Sequence, residues 1–229
     1  MTDLSKLERI LGVEFRNKDL LRTALTHRSY INENPEAGEN NERMEFLGDA
    51  VLELVITEYL YGKFPEKPEG ELTNLRASLV NANILGSVTA ELGVNDFLFL
   101  SRGEARDVGR ARQIILANAF EAIVGAIYLD SGYGLAQKFI LNVLENKIPE
   151  ILEKKLYKDA KSLFQEEAQE RVGVTPSYEV IKEWGPDHDK HFIVGVYLGK
   201  ELVAEGEGAS KQEAQQQAAH AGLKSKNWG

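Results

Sequence analysis

Asn41-Glu42-Arg43-Met44-Glu45-Phe46-Leu47-Gly48-Asp49-Ala50-Val51-Leu52 is the stretch on which the reading of this chain turns. It opens a helical pattern running from about residue 41 to 64 and stopping at Pro65. At about 100° per residue, Glu42, Glu45 and Asp49 fall within roughly 60° of one another and share one stripe. Met44, Phe46, Leu47, Val51, Leu54 and Val55 fill most of the remaining circumference, which predicts a buried helix. Carboxylates on a buried helix repel one another and lose hydration, so they call for a cation. A solvated acidic face is the competing reading.

Working outward, helical spacing recurs over residues 4–11, 18–26, 70–81, 82–92, 113–130 and 134–152, with Gly12, Pro65, Gly93 and Ser131-Gly132 at the stops. No period-two alternation precedes residue 150, so residues 1–152 read as an all-α domain. The pattern at 113–130 has the same apolar character as the first, with Asn118 and Glu121 one turn apart. Its small residues Ala117, Ala122, Gly125 and Ala126 permit close approach of another helix. If the two helices pack, Glu45, Asp49, Asn118 and Glu121 converge. Four oxygen donors without Cys or His describe a hard-cation site, Mg²⁺ or Mn²⁺ rather than Zn²⁺.

A charged connection at 153–158 leads to a second domain at 159–229. There a helix at 160–172 precedes alternating segments at 178–184, 191–198 and 201–207, and a last helix follows Ser210. Ser210 with Glu213 forms a capping box. The order α-β-β-β-α predicts a small antiparallel sheet with both helices on one face, an α+β unit.

The 229 residues carry 27 basic and 36 acidic side chains, a net charge of −9. Residues 156–229 hold nine Lys and Arg against twelve Asp and Glu, and the rest of the chain 18 against 24, so neither half is basic. Binding of a polyanion must then rest on local placement of charge or on recruited cations. The absence of cysteine excludes disulfides, thiolate metal sites and a catalytic Cys. No apolar run approaches the roughly 20 residues of a membrane helix, and the polar Met1–Lys6 is not a signal peptide. A cytoplasmic protein away from membranes is expected.

Residues 42–52 resemble the signature of the ribonuclease III family, as do Leu25-Thr26-His27-Arg28-Ser29-Tyr30, Gly70–Thr73 with Leu75–Ala77, and Glu121-Ala122 ahead of Gly125–Asp130. The resemblance spans the chain in order. It implies a Mg²⁺-dependent endonuclease, with Mn²⁺ able to substitute, that cuts double-stranded RNA to 5′-phosphate and 3′-hydroxyl ends with short 3′ overhangs. It implies Glu45, Asp49, Asn118 and Glu121 as metal ligands, Asp49 and Glu121 as catalytic, and Glu42, Glu69 and Glu104 as outer acidic positions. It further implies a homodimer through the nuclease domain, processing ribosomal RNA precursors and structured messenger RNA. Phe46 then fills a pocket at the dimer contact; a purely intramolecular core is the other reading.

One residue departs from the pattern: the family position of Asn118 is most often Asp. Natural variation with activity kept, a substitution that traps complexes, and natural loss of activity all compete, and the last makes a duplex-binding protein with an impaired nuclease the alternative function. Residues 159–226 resemble a double-stranded RNA-binding domain, which reads A-form shape. That implies duplex contacts from Ser162, Gln165, Glu166 and Gln169 on the first helix, His188 in the loop, and Ser210, Lys211 and Gln212 at the last helix, Gln212 standing where a second Lys is common. Taken singly, a Gln-rich face and a loop His also fit plain solvation. His27 reads as structural, and Glu53 likewise.

Overall fold

The computed structural model describes residues 3–153, 160–186 and 190–228. The chain divides into two compact units, Met1–Glu153 and Lys154–Gly229.

The first unit is helical. Asp3 caps α1 (Leu4–Leu11) by accepting the Ser5 N–H, and Gly12, at φ 67°, closes it in the left-handed region. Asn17 caps α2 (Lys18–Ala24) in the same manner. A short helix that the spacing does not predict, α3 (Arg28–Glu33), follows, capped by His27 Nδ1. Then come α4 (Glu42–Lys63), α5 (Glu69–Leu79), α6 (Ala82–Glu91), α7 (Arg110–Ser131), α8 (Tyr133–Leu144) and α9 (Ile148–Glu153). The expected single helix over 134–152 is broken into α8 and α9 by a 3₁₀ turn at Glu145–Lys147. Pro149 explains the break: it lacks an N–H, and its ring clashes with the carbonyl four residues back, at Glu145. Among the described residues of this unit, the one strand-like feature is an isolated bridge between Thr26 and Phe99.

The core helix is α7. Ile115–Ala117, Ala119, Phe120 and Ala122–Ile127 are all buried, and α2, α4, α6 and α8 pack around it. By length and composition it is apolar enough to cross a membrane, but most of it lies inside the unit. The prediction for α4 needs correcting. One face is buried, through Gly48, Val51, Leu52, Val55, Ile56 and Leu60. The opposite face leaves Phe46 81%, Leu54 57% and Tyr61 76% exposed. Apolar content cannot distinguish a face covered by its own chain from one left open, which is why the sequence overstates the burial.

In the second unit α10 (Ala160–Val172) precedes β1 (Ser177–Trp184), β2 (His191–Leu198) and β3 (Glu201–Gly208), and α11 (Lys211–Lys226) ends the fold. The sheet is antiparallel in the order β1-β2-β3, with register shifts at Val180/Lys182 and Val196/Tyr197. Leu163 and Phe164 of α10 and Ala218, Ala219 and Leu223 of α11 bury Val196 from one side of the sheet. α11 lies directly on β3 because both surfaces are stripped of side chains: a Cβ at Gly206 would meet the Ala214 carbonyl at 2.5 Å, and one at Gly208 the Ala214 nitrogen at 2.6 Å. Trp228 closes the core against Phe164, ring centroids 5.4 Å apart.

Candidate active site and RNA-binding surface

The site begins with a main-chain contact. Where α4 crosses α7, a Cβ at Gly48 would run into the Glu121 carbonyl group, 2.6 Å from its carbon, and lie 2.8 Å from the Gly125 nitrogen. Gly125 is also tight against the Met44 carbonyl, though less so. Two glycines thus let the helix axes approach closer than side chains allow. Glu45 and Asp49 flank Gly48 on α4, while Asn118 lies one turn before Glu121 on α7. The crossing is what brings the four together.

Their electrostatics show the proximity. Burial pushes the Glu121 carboxyl up to about 7, with the Asp49 and Glu45 charges adding to the rise. Glu45 is also raised, first by burial, then by Glu42 and Asp49, against a hydrogen bond from the Asn118 amide that lowers it. Like-charged groups sharing a half-buried site produce this pattern. Among the described residues no three His, Asp or Glu are drawn together tightly enough to grip an ion unaided. The donors are all hard oxygens under mutual repulsion, so their chemistry fits a divalent cation that would relieve it.

The outer acids separate into two groups. Glu42 stands beside Glu45, and its carboxylate accepts the Asn40 amide at 3.1 Å and lies 3.5 Å from Arg28. Glu104, in the turn Glu104–Arg106, and Glu42 both act on the His27 imidazole, as do Arg28 and Arg112; burial comes first and holds the ring below its ordinary pKa. Glu69 is not with them. At the start of α5 it accepts the Thr73 hydroxyl at 3.0 Å and lines a recess with Thr57, Tyr61 and Arg76. His27 caps α3, the structural role its sequence setting suggested. Glu53 is exposed on α4.

In the second unit Ser162, Gln165, Glu166 and Gln169 are all exposed along one side of α10. Glu167, between them, turns inward and pairs with Arg171 at 2.7 Å. Ser210 caps α11 by accepting the Glu213 N–H, and Glu213 returns a carboxylate to the Ala209 N–H, so the capping box forms one residue out of register. Ser210, Lys211 and Gln212 are exposed, with the Lys211 ammonium 5.6 Å from the Phe192 ring centroid. His188 lies outside the described residues. Sequence reasoning missed Gly48 and the Ser29 hydroxyl, which bonds His27. A lone glycine inside an apolar helix was the available signal for the first, since it costs about 1 kcal/mol against Ala unless packing requires it.

A helical unit bearing an acidic cluster, followed by an α-β-β-β-α unit with a polar helix face, defines a nuclease joined to a double-stranded RNA-binding domain. Residues 17–148 match the Ribonuclease-III-like family and residues 160–226 the double-stranded RNA binding motif. The chain belongs to the ribonuclease III family and is an endonuclease of double-stranded RNA. It is 45% identical to Ribonuclease 3 of Borreliella burgdorferi over 223 residues, 97% of this chain and 91% of that protein. Ribonuclease 3 of Pelotomaculum thermopropionicum is 47% identical over 96% of this chain and 92% of its own length. A solved nuclease domain of ribonuclease III from Campylobacter jejuni superimposes with a TM-score of 0.59 at 43% identity, covering 64% of this chain and 99% of that one.

Proposed function

We propose that Glu45, Asp49, Asn118 and Glu121 hold Mg²⁺, or Mn²⁺ in its place, and that Asp49 and Glu121 carry the chemistry of strand cleavage. The observation that supports this reading most is the raised Glu121 carboxyl beside Asp49 and Glu45. A bound divalent cation supplies the acidity to activate a water and the charge to offset a phosphodiester. The chain supplies the placement. The α4–α7 crossing sets the spacing of the donors, and the Asn118 amide N–H orients Glu45 while its oxygen stays available as a ligand. Hydrolysis needs no covalent enzyme intermediate, and 5′-phosphate and 3′-hydroxyl ends are expected. Ser162, Gln165, Glu166, Gln169, Ser210, Lys211 and Gln212 form the duplex-facing surface, with His188 as the loop contact.

Asn118 brings an oxygen without a charge. Asn118→Asp is therefore expected to lower the Mg²⁺ concentration for half-maximal cleavage of a long RNA duplex, by roughly tenfold for about 1.4 kcal/mol of added attraction. A metal titration of both proteins checks this, and an unchanged midpoint would remove Asn118 from the ligand set.

A homodimer is part of the same reading. The exposed α4 stripe runs from Phe46 to Tyr61, about 22 Å along the helix, and Leu20, Met44, Leu47 and Leu129 line a recess beside Phe46. The related Campylobacter jejuni nuclease domain has a region involved in dimer formation. Two copies paired by a twofold along this stripe put the Tyr61 end of one beside the Phe46 end of the other. Glu69, which shares the Tyr61 recess, would then serve its partner's acids rather than its own. Phe46→Glu is expected to weaken self-association at least about 100-fold, since it removes a buried aromatic and adds a charge. Sedimentation equilibrium measures it; wild-type association by the variant would place the interface elsewhere.

A further inference from the structure

The segment around His27 carries a hydrogen-bond chain that the metal ligands do not account for. His27 Nδ1 accepts the Ser29 N–H at 3.3 Å and lies 2.8 Å from Ser29 Oγ. Ser29 Oγ accepts the Ser101 N–H at 3.1 Å, which leaves its own proton to point at the imidazole. An accepting Nδ1 places the proton of the neutral ring on Nε2. One link further, Ser101 Oγ accepts the Glu104 N–H at 3.2 Å. Arg112 secures the far side of that turn, donating to the Glu104 carbonyl at 2.7 Å and the Asp107 carbonyl at 3.3 Å.

The other end of the chain reaches the carboxylate helix. Asn41, only 3% exposed, donates its backbone N–H to the Thr26 carbonyl at 2.9 Å and its amide to the Ala24 carbonyl at 3.3 Å. Its own carbonyl accepts the Glu45 N–H at 2.8 Å, within the first turn of α4. Phe99 and Leu25, and His27 and Phe99, exchange backbone hydrogen bonds at 2.9 and 3.1 Å. Residues 24–29 are thus a frame with Glu42 at one edge and Glu104 at the other, both acting on the same imidazole. The backbone bridge alone fixes the frame as far as Phe99. Beyond it, the Ser29 hydroxyl ties the Glu104 turn to the frame, bonding the ring and the turn at once, beside a second tie in which the Arg102 N–H donates to the Glu33 carboxylate at 3.2 Å.

We propose that Ser29 is a positioning residue for the cutting reaction: its hydroxyl locks the His27 ring to the Ser101–Glu104 turn and so sets where Glu104 stands relative to Glu42. The inference rests on the reading of Glu104 as an outer acid of the site. Ser29 touches neither the proposed metal ligands nor the phosphodiester; its effect passes through Glu104.

The test is a double-mutant cycle in the full chain, with steady-state cleavage of a defined RNA duplex in saturating Mg²⁺. Ser29→Ala is expected to lower kcat roughly tenfold, the lower range for partners that orient a site's groups, with KM within about twofold of wild type on the same grounds. Ser29→Thr keeps the hydroxyl and is expected to restore the rate. In a Glu104→Gln background, itself slower than wild type, Ser29→Ala should add little. Ser101→Ala keeps the backbone N–H bonded to Ser29 but cuts the next bond of the chain, from the Glu104 N–H to Ser101 Oγ, and should repeat both results if Ser29→Ala proves too unstable to assay. A full additional loss in the Glu104→Gln background, or a wild-type kcat for Ser29→Ala, overturns the proposal. A wild-type rate for Glu104→Gln alone overturns instead the assignment of Glu104 to the site.

Discussion

Gly48→Ala is expected to abolish duplex cleavage and to destabilise the nuclease unit by about 3 kcal/mol, the upper range for overpacking a core, because what blocks the methyl is backbone and not a side chain. The added carbon runs into the Glu121 carbonyl group and lies 2.8 Å from the Gly125 nitrogen. No rotamer change can clear it. The helices must part, and parting them separates Glu45 and Asp49 from Glu121 and Asn118. Thermal melting followed by circular dichroism, with duplex cleavage on the same samples, reads both effects. Full activity at unchanged melting temperature would show that the crossing is looser than described. Gly62, near the end of the same helix, faces open space. Gly62→Ala is the control: the same substitution there should leave activity intact.

The second large effect is expected at Glu121. Glu121→Gln preserves volume and removes one of three repelling charges, so the proposed role predicts a loss of about a thousandfold or more in cleavage rate, several kcal/mol of transition-state stabilisation. Duplex affinity, measured by mobility shift, should be retained. The sign on stability separates this from a structural role. Burial, Asp49 and Glu45 all work against the charged form of Glu121 in the folded protein, so a neutral isostere should leave the melting temperature unchanged or raise it. A drop in melting temperature with parallel loss of binding and cutting would mean that the residue holds the fold rather than the substrate.

How much of this was legible in the sequence depends on whether local chemistry decides the outcome. Caps and stops were readable because a short side chain or a glycine settles them alone: Ser210 accepts the Glu213 N–H expected of it, and Gly12 ends its helix in the left-handed turn. The strand at His191–Leu198 was readable because Phe192, Val194 and Val196 alternate inward, and Gly195, buried between two of them, has no side chain to break the period. Pro149 was an available signal for the break between α8 and α9, overridden by the apolar spacing around it. The meeting of Glu45 and Asp49 with Glu121 was inferable from two acid-bearing apolar helices with small residues. What fixed it, Gly48 against a carbonyl more than 70 positions away, shows locally only as a glycine inside an apolar helix, which does not name its partner. The burial of α4 was misjudged for the same reason, since Phe46 and Leu52 look alike in sequence and, of the two, the chain covers Leu52 and leaves Phe46 exposed. Glu69 and Glu104 were indistinguishable as isolated acids. The structure separates them, one beside His27 and the other in the Tyr61 recess.

The contact between Gly48 and the Glu121 carbonyl also governs how the protein should fail on heating. Where a site's spacing depends on long side chains, rotamer disorder can blur it well below the unfolding temperature, and activity fades ahead of structure. Here the spacing is set by two main chains in direct contact at the centre of the α4–α7 packing, with α7 itself the core. The ligands lose their register only when that packing opens, so inactivation and global unfolding of the nuclease unit become one event.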